Sequence, residues 1–196
     1  MDTYTNIDVH IERFLSASMT ARALDTITAP LFHDDPSQTI LDALNLYQAL
    51  QGAEGRNDYF SLSRWSGGHS EYHHEGTSCL TLEYDEAHAP AVKAALVELE
   101  FAHFVIPTKV GRSNAFLFAI PCKDELDHTD TTRAASLVAE LIEQGGLFED
   151  SFKYTYFFRF RTDQEITFTP GKLMDSQFVR DANNAGIKVF IKRWIR

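Results

Sequence analysis

The sequence predicts an α+β fold in which helices cover one face of a mixed sheet and leave its other face open. Two observations support this prediction. Between Cys79 and Arg161, stretches with the two-residue period of strands and stretches with the longer period of helices follow one another in the order β-α-β-β-α-β. The chain has 196 residues, of which 44% are hydrophobic, so it can bury one sizeable core.

Residues 1–55 are predicted to be helical and to pack on the core in residues 56–196, within a single compact domain. Asp8 to Leu24 has the composition of a helix, and Asp35-Pro36 supplies an N-cap followed by proline at the first helical position. Apolar residues then recur at helical spacing, namely Ile40, Leu41, Leu44, Tyr47 and Leu50. The polar, glycine-bearing stretch Gly52 to Asn57 is the predicted joint between the two parts.

The elements of the core are predicted from local patterns. Tyr59 to Trp65 alternates like a strand, and a polar, histidine-bearing loop separates it from the strand Cys79 to Asp85. Apolar stripes predict a helix after Pro90, on Val92, Ala95, Leu96 and Leu99, and a helix from Thr129 or Asp130 to Gly145-Gly146, on Ala134, Leu137, Val138, Leu141 and Ile142. The remaining strands are predicted at Phe104 to Ile106, Ala115 to Ile120, Tyr154 to Arg161, Glu165 to Thr169 and Lys188 to Trp194. This order is the split βαβ pattern of ferredoxin-like and RNA-recognition-type folds.

The strand that ends at Asp85 carries the strongest chemical signal of the sequence. Because side chains alternate along a strand, Glu83 and Asp85 point to the same face. Leu80, Leu82 and Tyr84 point to the other face, which the helices are expected to cover. Two neighbouring carboxylates repel each other, and a site that keeps both ionised usually holds a divalent cation or a basic ligand. The sequence therefore predicts a cation-binding pair on the open face.

Charge and composition narrow the classes of function. The formal net charge of -10 argues against a general binder of polyanions, since nucleic-acid affinity comes largely from basic groups. A local basic face stays possible near the C-terminus, at Lys188, Lys192 and Arg193, although a solvated final strand would show the same pattern. Two cysteines and the lack of an apolar run of about 18 to 20 residues predict a soluble, cytoplasmic protein.

Several short motifs follow one another along the core. A glycine-bearing loop, Trp65 to His69, precedes the acid-x-acid motif Glu83-Tyr84-Asp85, and an apolar strand closed by proline follows at Ala115 to Pro121. Tyr156-Phe157-Phe158-Arg159 and Pro170-Gly171-Lys172 continue the series. In this order the motifs resemble the catalytic core of archaeo-eukaryotic-type primases, particularly the primase-polymerase domains of phages and plasmids.

The resemblance implies metal-dependent nucleotidyl transfer for primer synthesis, in which carboxylates hold Mg2+ or Mn2+ against a nucleotide triphosphate. Glu83 and Asp85 would be the catalytic residues and metal ligands, with Asp150 as a third ligand. Three residues of one loop would lie near the triphosphate, namely Lys109, Arg112 and Ser113. The partners would be single-stranded DNA and replication proteins supplied in trans. The residues expected to contact the nucleic acid are Arg159, Arg161, Lys188, Lys192 and Arg193.

The sequence departs from the primase pattern at three places, and other hypotheses therefore stay open. Thr108-Lys109-Val110 stands where a serine-x-histidine motif is expected, and Phe152-Lys153 stands where a third acid is expected. On the strand before Pro121, Ala115 and Leu117 occupy positions where the family commonly has basic residues. A second hypothesis is a catalytically degenerate relative that binds single-stranded nucleic acid or a replication partner. A third is a small acidic inhibitor or adaptor that meets a basic protein.

Three local features also allow more than one interpretation. The histidines His69, His73 and His74 could bind zinc or manganese, could contact a nucleotide, or could simply belong to a polar surface loop. The loop Lys109 to Ser113 is equally consistent with an ordinary solvated hairpin turn. The aromatic residues between Tyr154 and Phe160 suit core packing better than stacking on unpaired bases.

Overall fold

The computed structural model describes residues 59–60, 62–65, 74–152, 158–174 and 177–178. The predicted N-terminal helices in residues 1–55, the loop histidines His69 and His73, and the last predicted strand lie outside the described residues. The same holds for three of the predicted nucleic-acid contacts, namely Lys188, Lys192 and Arg193.

The described core contains seven strands and two α-helices in the chain order β1-β2-β3-α1-β4-β5-α2-β6-β7. The strands are β1 Tyr59–Phe60, β2 Ser63–Trp65, β3 His74–Asp85, β4 His103–Val110, β5 Ser113–Leu126, β6 Phe158–Arg159 and β7 Thr167–Thr169. The helices are α1 Ala89–Glu98 and α2 His128–Ile142, and a short 3-10 helix covers Glu149–Phe152. Within the described ranges, neither helix is both long and apolar enough to cross a membrane.

Five strands form one sheet in the order β2-β3-β5-β4-β7, and β1 pairs with β6 in a separate ribbon. All of these ladders are antiparallel, with Phe118 of β5 opposite both Leu82 of β3 and Val105 of β4. The prediction of an α+β fold is confirmed. The prediction of a mixed sheet is wrong, because each of these ladders is antiparallel. Parallel pairing in the described residues is limited to two isolated bridges, Phe101 with Lys172 and Cys122 with Met174.

The face of the sheet that meets the helices is the one that the sequence predicts. Leu80, Leu82 and Tyr84 are fully buried and belong to one apolar cluster with Val92 of α1 and Val138 of α2. Both helices begin close to their predicted starts, because Pro90 and Asp127 supply the N-terminal signals. The alternating apolar residues of β3 and the apolar stripes of α1 and α2 are buried against one another. Their burial accounts for the order of the elements.

The opposite face of the sheet is buried as well, so the expectation of an open face is wrong. Glu83 has only 1% of its surface exposed, and Leu117 of β5 and Ile106 of β4 on the same face are fully buried. After α2 the chain returns along β3 in residues 146–151, which we call the covering segment. Its Ser151 carbonyl accepts a hydrogen bond from the Thr81 hydroxyl at 2.8 Å. Residues 146–151 thus pair with the edge of β3, a contact that sequence periodicity does not reveal.

We expect the N-cap of α2 to contribute measurably to stability. The Asp127 side chain accepts a hydrogen bond of 2.8 Å from the backbone N–H of Asp130. Replacing Asp127→Ala leaves that N–H without its partner and should lower the free energy of unfolding by about 1 kcal/mol. Urea denaturation checks this value, and Asp127→Asn, which keeps an acceptor oxygen, should lose only a few tenths of that amount. An equal loss in both variants would contradict the capping role.

Candidate functional site

The candidate site lies at the carboxyl end of β3, where the covering segment runs beside the strand. The Phe148 N–H donates to the Glu83 carbonyl at 2.9 Å, and the Asp85 N–H donates to the Gly146 carbonyl at 2.9 Å. The Glu83 N–H in turn donates to the Ser151 hydroxyl at 2.9 Å. These bonds satisfy the free edge of β3, and they hold the covering segment alongside Glu83 and Asp85.

The Glu83 carboxyl is a buried acid without a cation beside it in the described residues. Neither of its oxygens has a hydrogen-bond partner of normal geometry, and the same is true of the buried Thr108 hydroxyl. Burial raises the pKa of Glu83 from its ordinary value of 4.5 to about 7, and the neighbouring Thr108 hydroxyl offsets only part of that rise. The group is therefore protonated to a large extent near neutral pH.

Asp85 has a different environment from Glu83, although both side chains leave the same face of β3. Its Oδ1 lies 2.7 Å from His88 Nδ1 and accepts the backbone N–H of His88 at 3.0 Å. The hydrogen bond from the His88 side chain is the main reason why the pKa of Asp85 lies below its usual range. The Asp85 and His88 side chains are 36% and 42% exposed, so solvent reaches this pair. Asp85 thus serves the turn that starts α1.

A glycine makes the close approach of this pair possible. Gly146 has a φ of +79°, and a Cβ there would lie 2.5 Å from Asp85 Oδ2 and closer still to His88 Nδ1. A side chain at Gly146 would therefore push apart the Asp85–His88 pair or the backbone that covers β3.

Arg161, which the sequence predicts to contact nucleic acid, is buried and paired. Only 2% of its side chain is exposed, and its guanidinium lies 3.1 Å from Glu86 and 2.8 Å from Asp163. It also lies over the Phe116 ring, 5.2 Å from the ring centroid. The chain after β6 enters the core and places Arg161 between two acids and an aromatic ring. The positive charge of Arg161 is therefore already paired. Arg159 is half-buried at the pairing of β6 with β1.

The other predicted nucleotide contacts lie on a solvated hairpin. Lys109, Arg112 and Ser113 are at or near the β4–β5 turn, of which Val110 and Ser113 form the last pair. Gly111 has a φ of +61°, which suits the first position of a two-residue hairpin turn. Arg112 and Ser113 are exposed, and their contact with a nucleotide stays a prediction.

The predicted metal ligands do not form a set that fits a divalent cation. Asp150 is exposed on the 3-10 helix, whereas Glu83 is covered and Asp85 is paired with His88. In the part of the chain that the structure describes, no three His, Cys, Asp or Glu side chains are placed to hold a metal ion. A cation would have to reach a buried Glu83, favour its ionised form and compete with His88 for Asp85.

His88, Ser151 and Gly146 are the residues of this site that the sequence analysis misses. The signal for His88 is its position three residues after Asp85 and just before the Ala89-Pro90 start of a helix. Such a spacing lets a carboxylate meet both the backbone and the side chain of the residue at the helix N-terminus. Ser151 carries no comparable signal, because its contact with β3 joins residues 68 positions apart in the chain.

Burial of Glu83 should make stability depend on pH. Below pH 4.5 the acid is neutral in both the folded and the unfolded chain, whereas between pH 4.5 and about 7 only the unfolded chain ionises. The free energy of unfolding should therefore fall by about 3 kcal/mol as the pH rises through this window. Urea denaturation at a series of pH values measures this fall, which Glu83→Gln should remove. Glu98→Gln, which replaces an exposed carboxyl on α1, should keep the fall in the free energy of unfolding. A fall of equal size in both variants would contradict its assignment to Glu83.

The two adjacent glycines allow a matched test of the turn. We expect Gly146→Ala to destabilise the protein by about 1 to 3 kcal/mol, because it combines a positive φ with a clash against Asp85 and His88. Gly145→Ala meets its nearest atom, His88 Nε2, at 3.4 Å and should change stability by less than about 0.5 kcal/mol. Thermal and urea unfolding measure the stability of both variants. Similar losses of stability in the two would contradict the close packing of Gly146 against Asp85 and His88.

Comparisons of the chain with protein-family models, with curated proteins and with solved structures found no match. An assignment of function therefore depends on the side chains at the end of β3 and on their surroundings. Those side chains are a buried Glu83 with a raised pKa, an Asp85 paired with His88, and an Arg161 paired with two acids.

Proposed function

We propose that this chain is a catalytically inactive relative of the primase-polymerase domains and that it works by binding a replication partner. The observation that carries the proposal is the burial of Glu83, which has 1% of its surface exposed and a pKa raised to about 7. A ligand for a catalytic cation must be accessible, and Glu83 does not meet that condition in this fold.

The topology supports the proposed relationship to a split βαβ core. β5 lies between β3 and β4, and α1 connects these two outer strands. The described part of the strand after α2 departs from that pattern, since it pairs with β1. The relationship is thus proposed for the unit from β3 to α2, and a replication role would place the protein in the cytoplasm.

A protein partner is favoured over nucleic acid by the charge of the chain. The net charge is -10, and Arg161, which the sequence predicts to contact nucleic acid, is already paired with Glu86 and Asp163. An acidic surface attracts a basic protein and repels a phosphate backbone. Lys109 and Arg112 on the exposed hairpin support a second candidate, weak binding of single-stranded DNA.

Nucleotide incorporation separates the inactive relative from an active enzyme. We expect the wild-type chain, supplied with labelled nucleotide triphosphates, primed or unprimed template and Mg2+ or Mn2+, to incorporate no more label than Glu83→Ala/Asp85→Ala. The physical reason is that neither carboxyl is available to hold the cation. Incorporation by the wild type that the double variant abolishes would overturn the proposal and restore the enzymatic hypothesis.

Binding to single-stranded DNA, measured by fluorescence anisotropy at several salt concentrations, separates the two binding candidates. Weak or undetectable binding at physiological salt is expected if the partner is a protein. Tight binding that Lys109→Ala/Arg112→Ala weakens would instead favour the nucleic-acid candidate, and Lys93→Ala, at an exposed lysine on α1, is the matched control for the loss of a charge.

A further inference from the structure

A buried histidine stands at the start of β4. No part of the His103 side chain is exposed, and its Nδ1 lies 2.8 Å from the Phe101 carbonyl oxygen. A carbonyl oxygen can only accept, so Nδ1 carries the proton of the neutral ring. Nε2 is then the unprotonated nitrogen, and it is buried without a hydrogen-bond partner among the described residues. Protonation of His103 would place a donor and a positive charge where these residues offer no acceptor.

The turn just before β4, Glu100 to Ala102, anchors a later stretch of the chain. This stretch is Thr167 to Lys172, which we call the C-terminal segment. The Ala102 N–H donates to the Lys172 carbonyl at 2.9 Å, and the Lys172 N–H donates to the Glu100 carbonyl at 2.6 Å. Within the ladder of β4 and β7, His103 is directly opposite Thr169. Gly171 lies so close to this turn that a Cβ there would be 2.5 Å from the Glu100 carbonyl oxygen. A movement of the turn is therefore passed directly to the C-terminal segment.

Each element around His103 disfavours its charged form or leaves it unpaired. β5 presents the Phe118 ring, whose centroid is 6.3 Å from that of the imidazole, and β7 presents the backbone of Thr169. Burial is the main reason why the pKa of His103 lies below its ordinary value of 6.5, and the positive charge of Lys93 on α1 acts in the same direction. The bond to the Phe101 carbonyl opposes both effects. The acid of this turn, Glu100, is exposed and already forms an ion pair with Lys172.

We propose that protonation of His103 releases the C-terminal segment from the edge of β4. β7 has only three residues and lies at the edge of the sheet, so it opens at a lower free-energy cost than the central strands. Once the turn opens, His103 reaches water and binds a proton at its ordinary affinity, which holds the segment in the open state. Acid thus uncovers the outer edge of β4 while the remainder of the sheet stays intact.

Hydrogen exchange of individual amides tests this switch in the full chain. The reporters are the Ala102 and Lys172 amides, which are hydrogen-bonded across the contact, and the amides of the central strand β5 are the internal reference. After correction for the intrinsic pH dependence of exchange, the opening constant at the reporters should rise by up to about tenfold for each pH unit below about 6.5. The β5 amides should show no such rise. A parallel rise in both sets would overturn the proposal, because it would indicate unfolding of the whole sheet.

A neutral variant assigns the effect to His103. His103→Gln cannot gain a proton in this range, so its reporter amides should open to the same extent from about pH 7 to about pH 5. His88→Gln removes a partly exposed histidine and should keep the wild-type pH dependence. If His103→Gln does not fold, NMR titration of the wild-type imidazole provides the measurement, and its transition must coincide with the opening of the reporters. An unchanged pH dependence in His103→Gln, or a titration that does not coincide, would refute the switch.

Discussion

Hydrogen bonds between the end of β3 and the covering segment decide which polar groups of this sheet meet water. Both backbone groups of Glu83 are used by Phe148 and Ser151, and the Thr81 hydroxyl donates to the same serine. These bonds satisfy an edge that would otherwise need solvent or another strand. The Glu83 carboxyl is itself buried, and its charged form loses its hydration and gains no partner of normal geometry among the described residues.

The two carboxyls at the end of β3 consequently have opposite electrostatic environments. Burial raises the pKa of Glu83, whereas the hydrogen bond from His88 lowers the pKa of Asp85. Two residues that share a strand face, and that a sequence pattern would assign to one cation, are thus separated by their surroundings. The close packing of Gly146 against Asp85 and His88 keeps this arrangement in place.

Charge pairing limits the surface that this core can offer to a polyanion. Arg161 is enclosed by Glu86, Asp163 and the Phe116 ring, and Lys109 contributes to the lowered pKa of Asp163. Asn114 donates to the second oxygen of Glu86 at 3.1 Å, so the hairpin, the end of β3 and the loop after β6 meet in one polar cluster. Such a cluster joins three connections of the fold and leaves little unpaired positive charge around Arg161 for a phosphate backbone.

The sequence by itself determined the alternation of strands and helices, the side of β3 that meets the helices, and the apolar stripes of α1 and α2. Each of these follows from a period of two or of about 3.6 residues, which is a local property of the chain. It also indicated that Glu83 and Asp85 share a strand face. The tertiary structure decided what covers that face and which partner each acid meets, because Ser151, Gly146 and Thr108 come from distant parts of the chain. Periodicity says which way a side chain points, but burial and pairing depend on long-range packing that no local pattern encodes.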